Sequence, residues 1–204
     1  MLQQIRREVG NATPLALLLG AVIGAGLTRW LIQPLNLATT FALETTTLHS
    51  VRIFAPLVVN LVWIGCCVPA RLVLDAASGA GTGHQRLGFG AATAMAGALL
   101  LLPYFVLGLF LASSLASPRP DLEQQLPLFF GSLTPILIGT TVLRTAVFAA
   151  ASASITHLIG KRCRSHPEQL PALISTAMIN ASVTVVLLEV FWLAILPPAI
   201  PGPS

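Results

Sequence analysis

The chain has 204 residues, of which 55% are hydrophobic and only 9% are charged, and its mean hydropathy is +0.84. Soluble domains carry roughly 25% charged residues, so the composition excludes a water-soluble fold, which could not cover this much apolar surface. In lipid, backbone polar groups must bond internally, as they do in helices. The composition therefore predicts an all-α integral membrane protein.

The net charge is +4 and the isoelectric point is about 9.6. Nucleic-acid binding is not expected, because seven of the eleven Lys and Arg residues lie in short segments beside apolar runs and do not form one basic face. Cys66 and Cys67 are adjacent within an apolar run, and Cys163 lies in a basic segment. Neither a disulfide framework nor a metal site has this spacing. We expect no metal ion and no cofactor.

Five segments are long and apolar enough to cross a bilayer as helices of about 20 residues. In chain order these predicted spans are residues 14–35, 53–74, 89–116, 128–158 and 172–196. Arg29 interrupts the first span, and a signal peptide with Arg6 and Arg7 as its basic region is the alternative, although no convincing cleavage site follows. The fourth span contains Pro135, which predicts a tilt, a kink or a re-entrant start.

The distribution of basic residues predicts the orientation, because Lys and Arg accumulate in cytoplasmic loops. With five spans, seven of these residues fall on one side: Arg6, Arg7, Arg71, Arg86, Lys161, Arg162 and Arg164. The other side keeps two basic residues and three acids: Arg52, Arg119, Glu44, Asp121 and Glu123. The N-terminus is therefore predicted to be cytoplasmic. The layout is a short cytoplasmic or interfacial segment over 1–12, one transmembrane domain over 13–196 and a Pro-rich extracytoplasmic tail over 197–204.

Three ionisable residues within predicted spans, Arg29, Arg144 and Glu189, are candidate lipid-cavity or intramembrane charges and need an explanation, because an Arg at mid-helix costs roughly 2.5–3.5 kcal/mol on insertion scales. Arg144 has two explanations of equal weight: it faces an aqueous cavity and binds an anionic head group, or it pairs with Glu189 or with helix carbonyls. Simple rise counting places Glu189 nearer the outer face than Arg144. For Arg29 we expect snorkelling at the outer leaflet, with Trp30 at the interface.

Other polar and small residues give weaker signals. His157 is expected to be interfacial, because a lone His without a carboxylate partner is weak evidence for proton transfer. Gly20 and Gly24 have the spacing of a close helix contact, which is only weakly specific for dimerisation. The chain has none of the common catalytic motifs, neither a Walker sequence nor a nucleophile elbow nor paired intramembrane aspartates. We therefore predict that it is not an enzyme and has no catalytic site of its own.

Several short motifs, in order and at fixed spacing, resemble those of one family. Residues 144–148 read Arg-Thr-Ala-Val-Phe, residues 160–164 read Gly-Lys-Arg-Cys-Arg, and Glu168 and Glu189 follow. Residues 52–56 read Arg-Ile-Phe-Ala-Pro, with Gly65 nine residues after Pro56. From about residue 12 to 196 the chain resembles the MlaE/YrbE-type permeases. The positions that match the family motifs are Arg52, Pro56, Gly65, Gly160, Arg162, Arg164 and Glu168.

This resemblance implies an MlaE-like permease fold and a function in lipid transport. Such permeases are membrane subunits of ABC transporters that move phospholipids between the inner and outer membranes of Gram-negative bacteria, powered by a separate ATPase. The implied partners are the ATPase, a periplasmic MCE-domain protein, phospholipid and a second permease chain in a homo- or heterodimer, with a small STAS-domain protein as a further candidate. Lys161, Arg162 and Arg164 would face the ATPase. The implied location is the bacterial inner membrane.

Two departures keep an alternative open. The family usually has an arginine directly after the glycine at position 65, where this chain has Cys66. It also has an acidic cytoplasmic segment that contacts the ATPase, where this chain has a Gly-rich stretch over 78–90. The alternative function is therefore a non-transporting scaffold or assembly subunit of a larger membrane complex.

Overall fold

A computed structural model describes residues 2–35, 50–77, 83–116, 127, 130–131 and 133–195. Five long helices account for most of these residues: α1 (Leu2–Leu35), α2 (Ala55–Ala77), α3 (Gly83–Ala116), α4 (Pro135–Ser165) and α5 (Leu170–Ile195). A π-helical turn, Ser50–Phe54, precedes α2, and a 3₁₀ turn, Pro167–Gln169, joins α4 to α5. No strand occurs in these described ranges.

Each helix contributes a stretch long and apolar enough to cross a bilayer. These stretches are Ile5–Trp30, Val51–Leu74, Leu87–Ala116, Pro135–Cys163 and Leu170–Ile195. Within the described residues, the prediction of an all-helical fold with five helices long and apolar enough to span a membrane is thus confirmed. The residues expected to form a separate segment before the first span are the opening turns of the continuous helix α1. The predicted tail, 197–204, lies outside the described residues.

The start of α4 differs from the prediction. Pro135 begins the helix and does not kink it, because a proline in the first turn lacks only an N–H that has no helical partner there. Thr134 is the N-cap, and its Oγ1 accepts a hydrogen bond from the Leu137 backbone N–H over 3.3 Å. Of the three predicted alternatives, a kink at Pro135 does not occur in α4, whereas a tilt or a re-entrant start stays a prediction; the fourth membrane-spanning stretch, Pro135–Cys163, runs later than 128–158.

The helix α2 is the centre of the bundle, because it packs against each of the other four helices. On one side α1 packs extensively along α3, and on the other side α5 packs against α4, which also contacts α3. The buried side chains of α2 include Trp63, which is fully enclosed. Long apolar faces of α1 and α5 stay exposed, as expected for surfaces that meet lipid or other membrane chains.

The Gly20 and Gly24 pair explains the close contact between α1 and α3. A Cβ atom on Gly20 would collide with the Phe105 carbonyl, and one on Gly24 would collide with the Leu109 carbonyl. From the other side, a Cβ on Gly108 would collide with the α1 backbone. Small residues let membrane helices approach this closely. This glycine pair therefore serves a contact within the chain.

Candidate functional site

Arg144 on α4 and Glu189 on α5 form an ion pair inside the bundle. The Arg144 side chain is 2% exposed and the Glu189 side chain is 6% exposed. Arg144 Nη2 donates to Glu189 Oε1, and Arg144 Nη1 donates to the Arg52 carbonyl over 2.7 Å. The guanidinium carbon also lies 5.6 Å from the centroid of the Trp192 ring. Of the two explanations for Arg144, an aqueous cavity or pairing, the structure therefore has the pairing.

Asn60 on α2 extends this polar group toward the centre of the bundle. Its Nδ2 donates to the Pro56 carbonyl over 2.8 Å and to the Thr145 carbonyl over 3.3 Å. Thr145 follows Arg144 directly, so Asn60 joins α2 to the turn of α4 that carries the ion pair. We call Asn60, Arg144, Thr145, Glu189, Trp192 and the carbonyl of Arg52 the Arg144 cluster.

The Arg144 cluster keeps unused hydrogen-bonding capacity. Arg144 Nε, Glu189 Oε2 and Asn60 Oδ1 are buried without a hydrogen-bond partner among the described residues. A buried polar atom left without a partner costs about 1–3 kcal/mol, and more when it belongs to a charged group. The cluster can therefore accept further polar contacts, from water or from a ligand that enters the bundle.

The depth of the pair follows from the helix numbering. Arg144 lies nine residues after the first residue of α4, or about 14 Å along the helix. Glu189 lies six residues before the last residue of α5, or about 9 Å from that end. The two helix ends belong to the same side of the bundle because a short turn joins α4 to α5 at the other side. The long side chains bridge the offset that rise counting predicts.

A second arginine, Arg71 on α2, lies toward the opposite end, and its side chain is 10% exposed. Its Nε and Nη2 donate to the Glu8 carboxylate over 3.0 and 2.8 Å. Its Nη1 donates to the Gly90 carbonyl and its Nη2 to Thr93 Oγ1, both over 2.9 Å. The guanidinium carbon lies 4.8 Å from the centroid of the Trp63 ring. Arg71 thus joins α1, α2 and α3.

The two arginines differ in how completely they are bonded. Every nitrogen of the Arg71 guanidinium donates to an acceptor, and its pairing with Glu8 is bidentate. In Arg144 one guanidinium nitrogen, Nε, makes no hydrogen bond. One carboxylate oxygen of its partner Glu189, Oε2, also accepts none. Arg71 therefore has the bonding of a structural link, whereas the Arg144 cluster is the better candidate for a binding site.

The other residues singled out near α2 have diverse surroundings. Arg52 is half-buried, and only its main-chain carbonyl is seen to contact Arg144. Pro56 is buried, and its carbonyl accepts the Asn60 hydrogen bond. Gly65 is exposed, and Pro69 follows one turn later without an N–H for the Gly65 carbonyl.

The basic segment at the end of α4 is at the surface. Gly160 is buried, whereas Lys161 and Arg162 are exposed. Arg164 has a helical backbone, and its side chain lies outside the described part of the structure. Glu168 forms an exposed ion pair with His166, with 3.3 Å between Oε1 and Nδ1. These residues do not meet the Arg144 cluster, which lies toward the other end of α4.

Arg29 also lies away from the cluster. It is exposed on α1, next to Trp30, which is 81% exposed at the end of the first membrane-spanning stretch. Among the described residues, no hydrogen bond or ion pair joins Arg29 to Arg144 or Glu189. Interfacial snorkelling of Arg29 stays a prediction.

Comparison with protein families, with curated proteins and with solved structures finds no match to this chain.

Proposed function

We propose that this chain is the permease subunit of an ABC transporter that moves phospholipids between the inner and outer membranes of a bacterium, powered by a separate ATPase. The proposal draws on the resemblance of the motifs to MlaE/YrbE-type permeases and on the five-span helical fold. Within it, the chain is a multi-pass protein of the inner membrane with a cytoplasmic N-terminus. It carries no catalytic site of its own.

The observation that carries the proposal is the convergence of three distant motif positions. The main-chain carbonyl of Arg52 and the side chains of Arg144 and Glu189 come from separate parts of the sequence and meet between the start of α2, α4 and α5. A guanidinium binds phosphate by the same planar, bidentate geometry with which it binds carboxylate. A phospholipid phosphate could therefore replace Glu189 as the anionic partner of Arg144.

The proposed step is an exchange of partners. In the closed arrangement Glu189 neutralises Arg144 and the helices stay packed. When the ATPase moves α4 relative to α5, the pair opens, and the lipid phosphate binds the freed guanidinium. Such an exchange requires two arrangements of similar free energy. Because several atoms of the cluster have no hydrogen-bond partner, the closed pair is incompletely bonded, and its free energy is closer to that of the open arrangement.

The orientation predicted from the basic residues assigns the remaining roles. The Arg144 cluster would lie in the outer half of the membrane, near a periplasmic MCE-domain protein. The exposed Lys161 and Arg162, with Arg164, would lie on the cytoplasmic side and contact the ATPase, with a STAS-domain protein as a further candidate partner.

A scaffold function is the second candidate, and a specific observation favours it. The Arg144–Glu189 pair is almost fully buried, so it can act as a link between helices without binding anything. In that case the chain would assemble with other membrane subunits and move no lipid.

Purification of the tagged chain in mild detergent, followed by mass spectrometry of the bound proteins and lipids, separates these functions. The permease function predicts an ABC ATPase and an MCE-domain protein in near-equal amounts, together with bound phospholipid. The control is the Arg71→Met chain, purified in parallel. This variant lacks the link between α1, α2 and α3, so the proteins that copurify with it show how much nonspecific binding a loosened fold causes. An unrelated membrane complex, or a chain recovered without an ATPase, would contradict the permease function.

A further inference from the structure

One hydroxyl group of α4 differs from the other hydroxyls of that helix. Six Ser and Thr side chains of α4 donate to a main-chain carbonyl of the preceding turn: Thr140, Thr145, Ser152, Ser154, Thr156 and Ser165. The Thr141 hydroxyl is buried without a hydrogen-bond partner among the described residues. The carbonyl one turn before it, that of Leu137, already accepts from Thr140 Oγ1 over 3.0 Å and is the helical acceptor of the Thr141 backbone N–H. Thr141 therefore keeps a free hydroxyl group inside the bundle.

Thr141 lies beside the Arg144 cluster. It precedes Arg144 by three residues and Thr145 by four, so their side chains are neighbours on one face of α4. Thr145 Oγ1 donates to the Thr141 carbonyl over 2.8 Å, and the Thr145 carbonyl accepts from Asn60 Nδ2 over 3.3 Å. Thr141 is 2% exposed and Asn60 is fully buried. The free hydroxyl therefore belongs to the same buried polar region as the ion pair.

This region holds four polar atoms without a hydrogen-bond partner: Thr141 Oγ1, Arg144 Nε, Glu189 Oε2 and Asn60 Oδ1. Seven buried side-chain atoms lack a partner in the parts of the chain that the structure describes, so more than half of them lie here. Buried polar groups in folded proteins are nearly always hydrogen-bonded, either to protein or to ordered water. This concentration of free atoms therefore indicates a bound molecule that completes their hydrogen bonds.

The charges and the hydrogen-bonding types of these atoms select the molecule. The Arg144 guanidinium and the Glu189 carboxylate neutralise each other. While they are paired, an added cation would face the guanidinium and an added anion would face the carboxylate. Arg144 Nε is a donor, whereas Glu189 Oε2 and Asn60 Oδ1 are acceptors. The Thr141 hydroxyl can be either. A neutral molecule with both donors and acceptors fits this set.

We propose that a water molecule is bound inside the bundle between α2, α4 and α5, where these four atoms hold it. Its two hydrogens bond Glu189 Oε2 and Asn60 Oδ1. Its oxygen accepts from Arg144 Nε and from the Thr141 hydroxyl. Buried waters in proteins typically make roughly 2–4 such hydrogen bonds. In number and in type, the four free atoms therefore match one water.

The proposal goes beyond the transport function, because it describes the closed bundle whatever the chain moves. The water links three helices at the level of the ion pair and completes the bonding that the protein groups leave unfinished. Unlike a side chain, a water can leave when the helices separate, so the cluster is held together and is still able to open. A chain that moves no lipid would leave this proposal standing, and a cluster without water would leave the transport function standing.

Replacing Thr141 with Val tests the proposal by the sign of its effect on stability. Val has nearly the same shape as Thr but lacks the hydroxyl. If a water is bound, it loses one partner, and the equilibrium constant for unfolding should rise roughly fivefold or more. If the hydroxyl has no partner at all, its removal should leave that constant unchanged or lower it. Titration with dodecyl sulfate in mixed micelles gives the constant, and an unchanged or lower value in Thr141→Val would overturn the proposal.

The matched control is Thr156→Val on the same helix. Thr156 is 4% exposed, and its hydroxyl donates to the Ser152 carbonyl over 2.8 Å. That carbonyl keeps its helical N–H partner when the hydroxyl is removed, so the unfolding constant should change by less than about twofold. An equal loss of stability in the two variants would overturn the proposal, because it would reflect only the change from Thr to Val inside a helix.

Nuclear magnetic resonance detects the water directly and does not depend on the stability of a variant. The full chain is isotope-labelled at its threonine methyl groups in an otherwise deuterated background and placed in phosphatidylcholine nanodiscs. Thr141→Val identifies the Thr141 signal. Magnetisation transfer from water should be clearly stronger at the Thr141 methyl than at the Thr156 methyl, although both residues are buried. Equal transfer at the two methyl groups would overturn the proposal.

A sodium ion is the alternative occupant that the experiment must separate from water. Three of the four free atoms are oxygens, and oxygen atoms are the ligands of hard cations. The unfolding constant of the wild-type chain should be the same in sodium chloride and in choline chloride at equal concentration. A chain that is more stable in sodium chloride would hold a sodium ion at this place, and the proposal would be overturned.

Discussion

Replacing Glu189 with Gln removes the negative partner of a guanidinium whose side chain is only 2% exposed. Arg144 then keeps its hydrogen bond to the Arg52 carbonyl and its position over Trp192. Neither of these contacts neutralises the charge. Removal of one member of a buried pair costs about 3–5 kcal/mol, and a lone Arg at mid-helix costs roughly 2.5–3.5 kcal/mol on insertion scales. We expect Glu189→Gln to lower the free energy of unfolding by about 3 kcal/mol.

The matched control replaces both members with apolar side chains. Because the pair already leaves one atom of each residue unbonded, Arg144→Met with Glu189→Leu should fall within about 1 kcal/mol of wild type, or be more stable. Unfolding in mixed micelles by titration with dodecyl sulfate, followed by circular dichroism, gives the three free energies. The reasoning is refuted if Glu189→Gln is as stable as wild type, or if the double variant is as unstable as the single one.

Two further predictions concern the packing that positions the cluster. Gly20→Leu should lower the free energy of unfolding by about 1–3 kcal/mol or more, because its side chain would collide with the α3 backbone. Gly26→Leu on the same helix, where the added Cβ meets nothing within 4 Å, is the control and should be close to neutral in the same titration. Arg71→Met should cost about 3 kcal/mol, since it leaves the Glu8 carboxylate without its bidentate partner. Equal effects at both glycines, or a stable Arg71→Met chain, would contradict these predictions.

Hydropathy and spacing predict the coarse architecture well, because the bilayer sets the helix length and forces backbone bonds inside each helix. The same rules predict helix ends poorly. Pro135 was predicted to lie inside a span, and only the Thr134 cap shows that the helix begins there. Residues 2–12 join the first helix, which apolar periodicity cannot indicate because these turns carry several charges.

The candidate site was predicted in part. The sequence identifies Arg144 and Glu189 as ionisable residues in spans and allows their pairing. It does not indicate Asn60 or Trp192 as neighbours, because their contacts depend on how α2, α4 and α5 pack. A polar residue inside an apolar run is a signal that could have identified Asn60. The sequence explains Arg71 by charge bias alone, whereas in the structure its guanidinium pairs with Glu8.

ATP-dependent movement of a labelled phospholipid between liposomes, by the chain reconstituted with the ATPase and MCE-domain protein that copurify with it, tests the central claim most directly. The wild-type complex should move lipid when ATP is present. Arg144→Gln should move it at least about tenfold more slowly, while the complex keeps its ATPase. Arg7→Gln, an exposed charge on α1, should act like wild type. Equal transport by Arg144→Gln and wild type, or ATP hydrolysis by the wild-type complex without lipid movement, would contradict the account.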